Sequence, residues 1–272
     1  MSKHISSTIS QYFGAFASKE FSPFFQSFVN KSYVSLMGLD MSEFSQPSSY
    51  KSLNALFTRS LKTDREFSLN AREMISPCDS FITECGQIQS DQALQIKGMN
   101  YSVNDFLGDK IGDESKKKLI NGQFVNFYLS PRDYHRYHIP TNLKILRAVH
   151  IPGKLYPVNI PYLKKQVDLF IENERVVIEC ELPSKKPLFM VLVGALNVGK
   201  MSLSFEPNLQ TNVDNKEVTT FEYDELYMNK GDEFGYFEMG STIIMFSEEG
   251  TLELNIQAGE KVSFSQKVAT LF

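Results

Sequence analysis

The chain has no tryptophan and only three cysteines in 272 residues. Cys78, Cys85 and Cys180 form no CxxC pair and are too few and too odd in number for a disulfide framework, which points to a reducing compartment. Basic charge is scarce as well: 28 Lys and Arg face 32 Asp and Glu, for a net charge of −4. Without a cationic excess there is little to neutralise phosphates, so nucleic acid is not expected as a partner. No window approaches eighteen consecutive apolar residues, so no membrane-spanning helix is expected. The start, "MSKHISSTISQYFGAF", lacks the charged beginning and apolar stretch of a signal peptide. Tandem repeats and low-complexity linkers are missing too. What remains is a 42% hydrophobic chain, long enough to bury a large core.

The first sixty-odd residues read as helical. In "FSPFFQSFVNKSYVSLMG", Ser22 suits an N-cap, Pro23 the first helical position and Gly38 the stop. Phe21, Phe24, Phe25 and Phe28 follow the spacing of one helix face. Two readings of that face stand open: packing against the rest of the protein, or an amphipathic surface lying in a lipid interface beside Lys3, Lys19 and Lys31. "YKSLNALFTRSLK" fits a second short helix with Leu53, Leu56, Phe57 and Leu61 on one side. From about residue 72 the texture changes to short apolar or alternating runs such as "QFVNFYL", "RVVIECEL", "LFMVLVGAL" and "STIIMF", separated by Gly, Pro and Asn. Helical exceptions are expected around "VNDFLG" and "KKKLI". The expectation is an α+β fold: an N-terminal helical region over residues 1–65 and a β-rich body over 66–272.

One motif is a decoy. "GALNVGKM", residues 194–201, follows an apolar strand and fits G-x-x-x-x-G-K for seven positions. The eighth is Met201, where a Mg²⁺-binding hydroxyl belongs, and "MSLSFEP" alternates like a strand instead of opening a helix onto phosphates. Nucleotide binding is therefore a minor alternative, and tight turns between strands need such glycines anyway.

The chemistry-bearing stretch is "FYLSPRDYHRYHIP", residues 127–140. His135 and His138 lie three apart, close enough for both rings to reach one site from a turn or helical start. They read equally as core histidines, or as metal ligands with Asp133, although the cysteines offer a zinc site no further donors, so no metal is expected. In "ISPCDSFITE", Asp79 follows Pro77 at a turn; it is a turn former or a carboxylate that orients an imidazole. Beside His138 and Ser241, in "FEMGSTIIMF", it completes an Asp–His–Ser set, which is defined by geometry and not by sequence order.

These stretches, with "LNALFTRSLKTDREF", "HIPGKLYPVN", "NERVV", "VLVGALNVGKM" and "KGDEFGYFEMGSTIIMF" in the same order, identify the chain as similar to the pyruvoyl-dependent phosphatidylserine decarboxylases, in their prokaryotic type. It departs from the family pattern at Ser80, where Gly is common, and at Met239, where Leu is frequent.

The resemblance implies a β-rich body with a barrel-sandwich-like core and self-cleavage between Gly240 and Ser241. Loss of CO₂ from an α-amino acid needs an electron sink that no ordinary side chain supplies. Attack of Ser241 Oγ on the Gly240 carbonyl, an N→O shift and β-elimination would leave dehydroalanine at 241, whose hydrolysis yields a pyruvoyl terminus. The products would be a β chain, 1–240, and an α chain, 241–272, held as a heterodimer that is compatible with a further homodimer. The resemblance assigns His138 as the maturation base, held by Asp79, and His135 to decarboxylation and proton transfer. It places substrate contacts in "HIPGKLYPVNIPYLKK", at Tyr156, Val158 and Asn159, with Thr242 fixing the pyruvoyl group. Leu155, Ile160 and Tyr162 would join them on acyl chains, with Lys164 and Lys165 near headgroups. The substrate would be phosphatidylserine in a membrane, and the location the cytoplasmic side of a cell membrane, bound peripherally. Alternatives are a pyruvoyl decarboxylase of another amino acid or phosphoserine lipid, and a non-enzymatic carrier module; the tail "GTLELNIQAGEKVSFSQKVATLF" is similar to a barrel-sandwich but has no matching lysine hairpin.

Overall fold

The structure, a computed structural model, describes residues 14–96, 99–158, 160–196, 200–213, 217–238 and 241–272. After a helical stretch over residues 14–18 come helices α1 (Pro23–Met37) and α2 (Leu53–Phe57). Pro23 opens α1 and Gly38 closes it in the left-handed region at φ 62°. Ser22 is the N-cap residue, as expected, but its side chain makes no cap bond; its carbonyl accepts from Gln26 N–H. In α2 the cap is made by Ser52, whose hydroxyl accepts from Ala55 N–H at 3.0 Å.

Then follow β1 (Glu73–Ile75), β2 (Ser80–Gln87), β3 (Gln92–Ile96), β4 (Met99–Ser102), α3 (Val103–Leu107), α4 (Asp113–Lys117) and β5 (Gln123–Leu129). Next are β6 (Arg136–His138), β7 (Leu143–Ile151), α5 (Ile160–Leu163), α6 (Leu169–Glu172), β8 (Arg175–Glu181) and β9 (Pro187–Val193). The chain ends through β10 (Met201–Leu203), β11 (Thr219–Met228), β12 (Glu233–Phe237), β13 (Ser241–Ser247), β14 (Leu252–Leu254), β15 (Lys261–Val262) and β16 (Lys267–Leu271). The P-loop-like stretch thus leads into a strand, β10; its residues 197–199 lie outside the described residues.

The main sheet has eight antiparallel strands in the order β11-β7-β8-β9-β13-β5-β2-β15. Smaller sheets are β1-β16-β14, β10-β12-β6 and the pair β3-β4. The architecture is the expected α+β with a β-rich body, and among the described residues no sheet closes into a barrel. Strand β13 is central and buried on both faces, which explains its unbroken apolar run. Ile243 and Met245 face a core with Phe127, Ile178 and Leu192; Ile244 and Phe246 face a second with Phe106, Phe170 and Val191.

Helix α1 is oriented against the usual rule. Its buried residues are polar, Gln26 and Asn30, while Phe24 is 90% exposed, Phe28 63% and Leu36 84%. Gln26 Nε2 donates to Asn30 Oδ1 at 2.8 Å, and Asn30 Nδ2 donates to the carbonyls of Pro47 and Tyr50, both at 2.9 Å. Those bonds satisfy two amides that would be costly to bury unpaired, and they turn the phenylalanine face outward. The packing reading of that face is overturned. Among the described residues no helix is long and apolar enough to cross a membrane.

Candidate active site

Ser241 begins β13 opposite Leu129, the last residue of β5, and Thr242 is flanked by Tyr128 on β5 and Val193 on β9. The loop leaving β5 therefore starts beside Ser241; it carries His135 and runs into β6, which ends at His138. A tight turn shapes it: Asp133 Oδ2 accepts from Ser130 N–H at 2.6 Å, and Asp133 N–H donates back to the Ser130 carbonyl at 2.9 Å. Phe237 N–H then donates to the His135 carbonyl at 2.9 Å, tying the loop to the end of β12 just before the Gly-Ser-Thr step. Met239 and Gly240 lie outside the described residues, as does the Ser241 side chain.

The two rings do not share one set of partners, because residues 136–138 form a strand and not a turn or helical start. In extended chain, a spacing of three sends side chains to opposite faces. His135 is fully buried; its Nδ1–H donates to the Asp133 carbonyl at 2.8 Å and its ring packs on Phe57 at 4.0 Å. A carbonyl can only accept, so the proton sits on Nδ1 and Nε2 bears the lone pair. Among the described residues that Nε2 has no partner. Burial, helped by the nearby Arg59 charge, pushes the ring's pKa down to about 3.

His138 sits at the end of β6. Its Nδ1–H donates to the Gly231 carbonyl at 2.9 Å, its Nε2 accepts from Tyr134 OH at 3.1 Å, and its ring stacks on Phe264 at 3.6 Å. Gly231 holds φ +90°, and a Cβ there would come within 2.2 Å of the Phe67 ring, so only glycine presents that carbonyl without strain. Burial pushes the His138 pKa down to about 4, and the Tyr134 phenol up. Both imidazoles are neutral at pH 7.

Asp79 does not touch the His138 ring. Both of its oxygens are taken by the Arg65 guanidinium, and Oδ1 also accepts Phe264 N–H at 2.7 Å. Arg65 is held from its other side by Glu43 at 2.7 Å. The link from Asp79 to the imidazole runs through Phe264, whose amide the carboxylate holds and whose ring lies on His138. Ser80, where the resemblance led to glycine, is accommodated inside β2 against Val262. Sequence reasoning gave no role to Arg59, Arg65, Tyr134 or Gly231. All four stand inside the motif stretches of the sequence, but nothing local shows what they contact.

The segment expected to meet substrate is partly core. Leu155 and Val158 are 2% and 4% exposed, and the backbone of Tyr156 is clamped by Asn173 on both its N–H and its carbonyl, each at 2.9 Å. Burial removes Leu155 and Val158 from the surface that was to meet acyl chains. Tyr162, Lys164 and Lys165 are exposed; Asn159 and the Ile160 side chain lie outside the described residues. Thr242 is buried with its Oγ1 unpartnered among the described residues. Among those residues no cluster of His, Cys, Asp or Glu has the makings of a metal site.

Two neutral imidazoles three residues apart and the orphaned hydroxyl of Thr242, all buried, are groups that can move protons away from bulk water. A family model described as phosphatidylserine decarboxylase matches residues 53–270. The chain is 43% identical over 263 residues to the phosphatidylserine decarboxylase proenzyme of Helicobacter pylori strain 26695, covering 95% of this chain and 97% of that protein. It is 42% identical over 266 residues to the proenzyme of the same name from Campylobacter jejuni, at 96% and 97% coverage. With that of Marinobacter nauticus it shares 34% over 267 residues, at 93% and 91% coverage. The chain belongs to the phosphatidylserine decarboxylase family, and so is a carboxy-lyase.

Proposed function

We propose that the protein decarboxylates phosphatidylserine to phosphatidylethanolamine, using a pyruvoyl group formed from Ser241 when the chain cuts itself between Gly240 and Ser241. The observation that carries this reading is that Ser241 stands at the head of β13, beside the strand that runs into the histidine loop. The pyruvoyl group supplies an electrophilic carbonyl that takes up the electrons left at Cα when CO₂ departs. The residues present fit such a group: Thr242 Oγ1 and His135 Nε2 are buried hydrogen-bonding atoms with no partner among the described residues.

His138, neutral and with its lone pair on Nε2, accepts the proton from Ser241 during maturation; Tyr134, which donates to that nitrogen, must yield it. His135 keeps an unpartnered Nε2 in a slot walled by Phe57, suited to taking a proton from the substrate ammonium as the amine is engaged and returning it to Cα where the carboxylate has left. Cleavage leaves the small chain in place, because β13 is hydrogen-bonded by β9 and β5 of the large chain on both sides and β16 pairs with β1. The outward phenylalanine face of α1 supports peripheral docking on the cytoplasmic side of a membrane, where burying each ring contributes about 1.5–3 kcal/mol.

The test is the intact mass of the purified protein followed by CO₂ release from phosphatidylserine vesicles. Two chains with a blocked small-chain terminus, and no turnover in Ser241→Ala, are expected. Full turnover by an uncut chain sinks the reading.

A further inference from the structure

Arg59 lies two residues beyond α2 and is only 2% exposed, yet among the described residues no carboxylate forms an ion pair with it. Its guanidinium rests on backbone carbonyls: Nη2–H donates to Arg132 O at 3.1 Å and Asp133 O at 3.3 Å, while Nη1 faces Leu56 O and Phe57 O at 3.5 Å. Its plane lies 4.4 Å from the Phe44 ring centre, and its Nε has no partner among the described residues. Burying a cation on carbonyl dipoles alone is expensive, and burial correspondingly pulls its own pKa down. A single good salt bridge would have been a cheaper anchor for the loop.

What the charge reaches is His135. The Asp133 carbonyl that accepts Arg59 Nη2–H also accepts the Nδ1–H of His135. Phe57, two residues before Arg59, is the aromatic wall of the His135 slot. Of the other groups that touch His135, Phe57 on its ring and the Phe237 N–H on its carbonyl carry no charge, and the Asp133 carboxylate is turned away onto Ser130 N–H. Arg59 is thus the one formal charge among these groups that bears on the ring.

We propose that Arg59 is a positioning residue for His135: bound to the Asp133 carbonyl, its charge holds the Nδ1–H tautomer and disfavours the imidazolium, so that Nε2 stays open for turnover. This rests on the reading of His135 as a turnover residue. A second positive charge beside a protonated ring is repulsive, and little water screens the pair. Loss of the charge lets the ring protonate at higher pH, although burial, the larger cause, continues to hold it below the ordinary range. The same short segment, α2 and its exit, links the region of the exposed phenylalanines to the histidine loop, and Arg136 adds a third tie by donating to Thr58 O at 2.9 Å.

The experiment compares the processed full-length protein with Arg59→Lys, Arg59→Gln and His135→Gln. It records kcat and KM on phosphatidylserine vesicles against pH, processing on denaturing gels, and the His135 ring titration by NMR of histidine-labelled protein. Arg59→Gln is expected to cut normally, lower kcat with KM within twofold, and move both the acidic limb of kcat and the His135 titration up by about one pH unit. Arg59→Lys keeps the charge and loses the fork, so kcat falls while limb and titration stay in place. This arm decides alone if Arg59→Gln does not fold: a limb displaced by a full unit in the lysine variant overturns the assignment. So does an Arg59→Gln limb and titration that coincide with wild type while His135→Gln has lost turnover. Normal turnover by His135→Gln fails the role of His135 itself, a result no Arg59 variant produces, and this inference falls with it.

Discussion

His135 and His138 are three residues apart, on one motif, with protons on the same ring nitrogen, and they live in different surroundings. His135 leans on Phe57 from the helical region, donates to a carbonyl of its own loop and keeps Nε2 bare. His138 lies on Phe264 near the end of the chain, donates to Gly231 and has its Nε2 covered by Tyr134. The difference teaches that one imidazole is stored ready and the other is stored capped. On the roles proposed above, a base needed once per molecule can be kept under a hydroxyl, and a group used in every turnover is better left open.

The contrast breaks most visibly with His138→Ala, which is expected to remain a single uncut band on a denaturing gel with no decarboxylation at all. His135→Ala is expected to cut normally and then turn over about 100- to 10,000-fold more slowly, the usual reach of one acid–base group. Exchange of those two results would exchange the roles. Gly231→Ala sharpens the comparison from the side of His138 alone. A Cβ crowding Phe67 at a positive φ costs about 1–3 kcal/mol, seen as a lower Tm, and slows processing while leaving the turnover of cut molecules intact.

A further effect is expected on stability against pH. Both folded-state pKa values, about 3 and about 4, lie below the unfolded value of about 6.5. The unfolded chain therefore takes up protons first, so this stability is present above pH 6.5 and drains away as pH falls towards 4 and 3. Each pH unit in that window is worth about 1.4 kcal/mol per ring, and His135→Gln or His138→Gln should flatten the fall of Tm between pH 6.5 and 4. An unchanged slope in both variants would mean that neither ring is held neutral.

Much of the fold was legible because its signals are local. Alternation and apolar runs marked the strands, Pro23 and Gly38 bounded α1, and the brief helices at "VNDFLG" and near "KKKLI" are present as α3 and α4. The site was legible as a set of residue types and much less as a set of contacts. Asp79 was expected on an imidazole and is found on Arg65, a partner fourteen residues away whose motif gave no hint of the pairing. Leu155 and Val158 looked available to a lipid and are core, because a hydrophobic loop residue looks the same whichever surface it meets.

What the sequence determined by itself was the inventory: a buried strand apolar on both sides, two imidazoles three residues apart, a Gly-Ser-Thr step ahead of that strand, and the family these define. The tertiary structure alone decided the direction in which each was turned. Gly231, 93 residues beyond His138, sets which nitrogen of that ring carries the proton. Two buried amides on α1, Gln26 bonded to Asn30 and Asn30 to carbonyls 17 and 20 residues away, send the phenylalanines outward. Hydrogen bonds and burial act through space between segments that no local pattern brings together, and so the same letters admit either facing until the chain has folded.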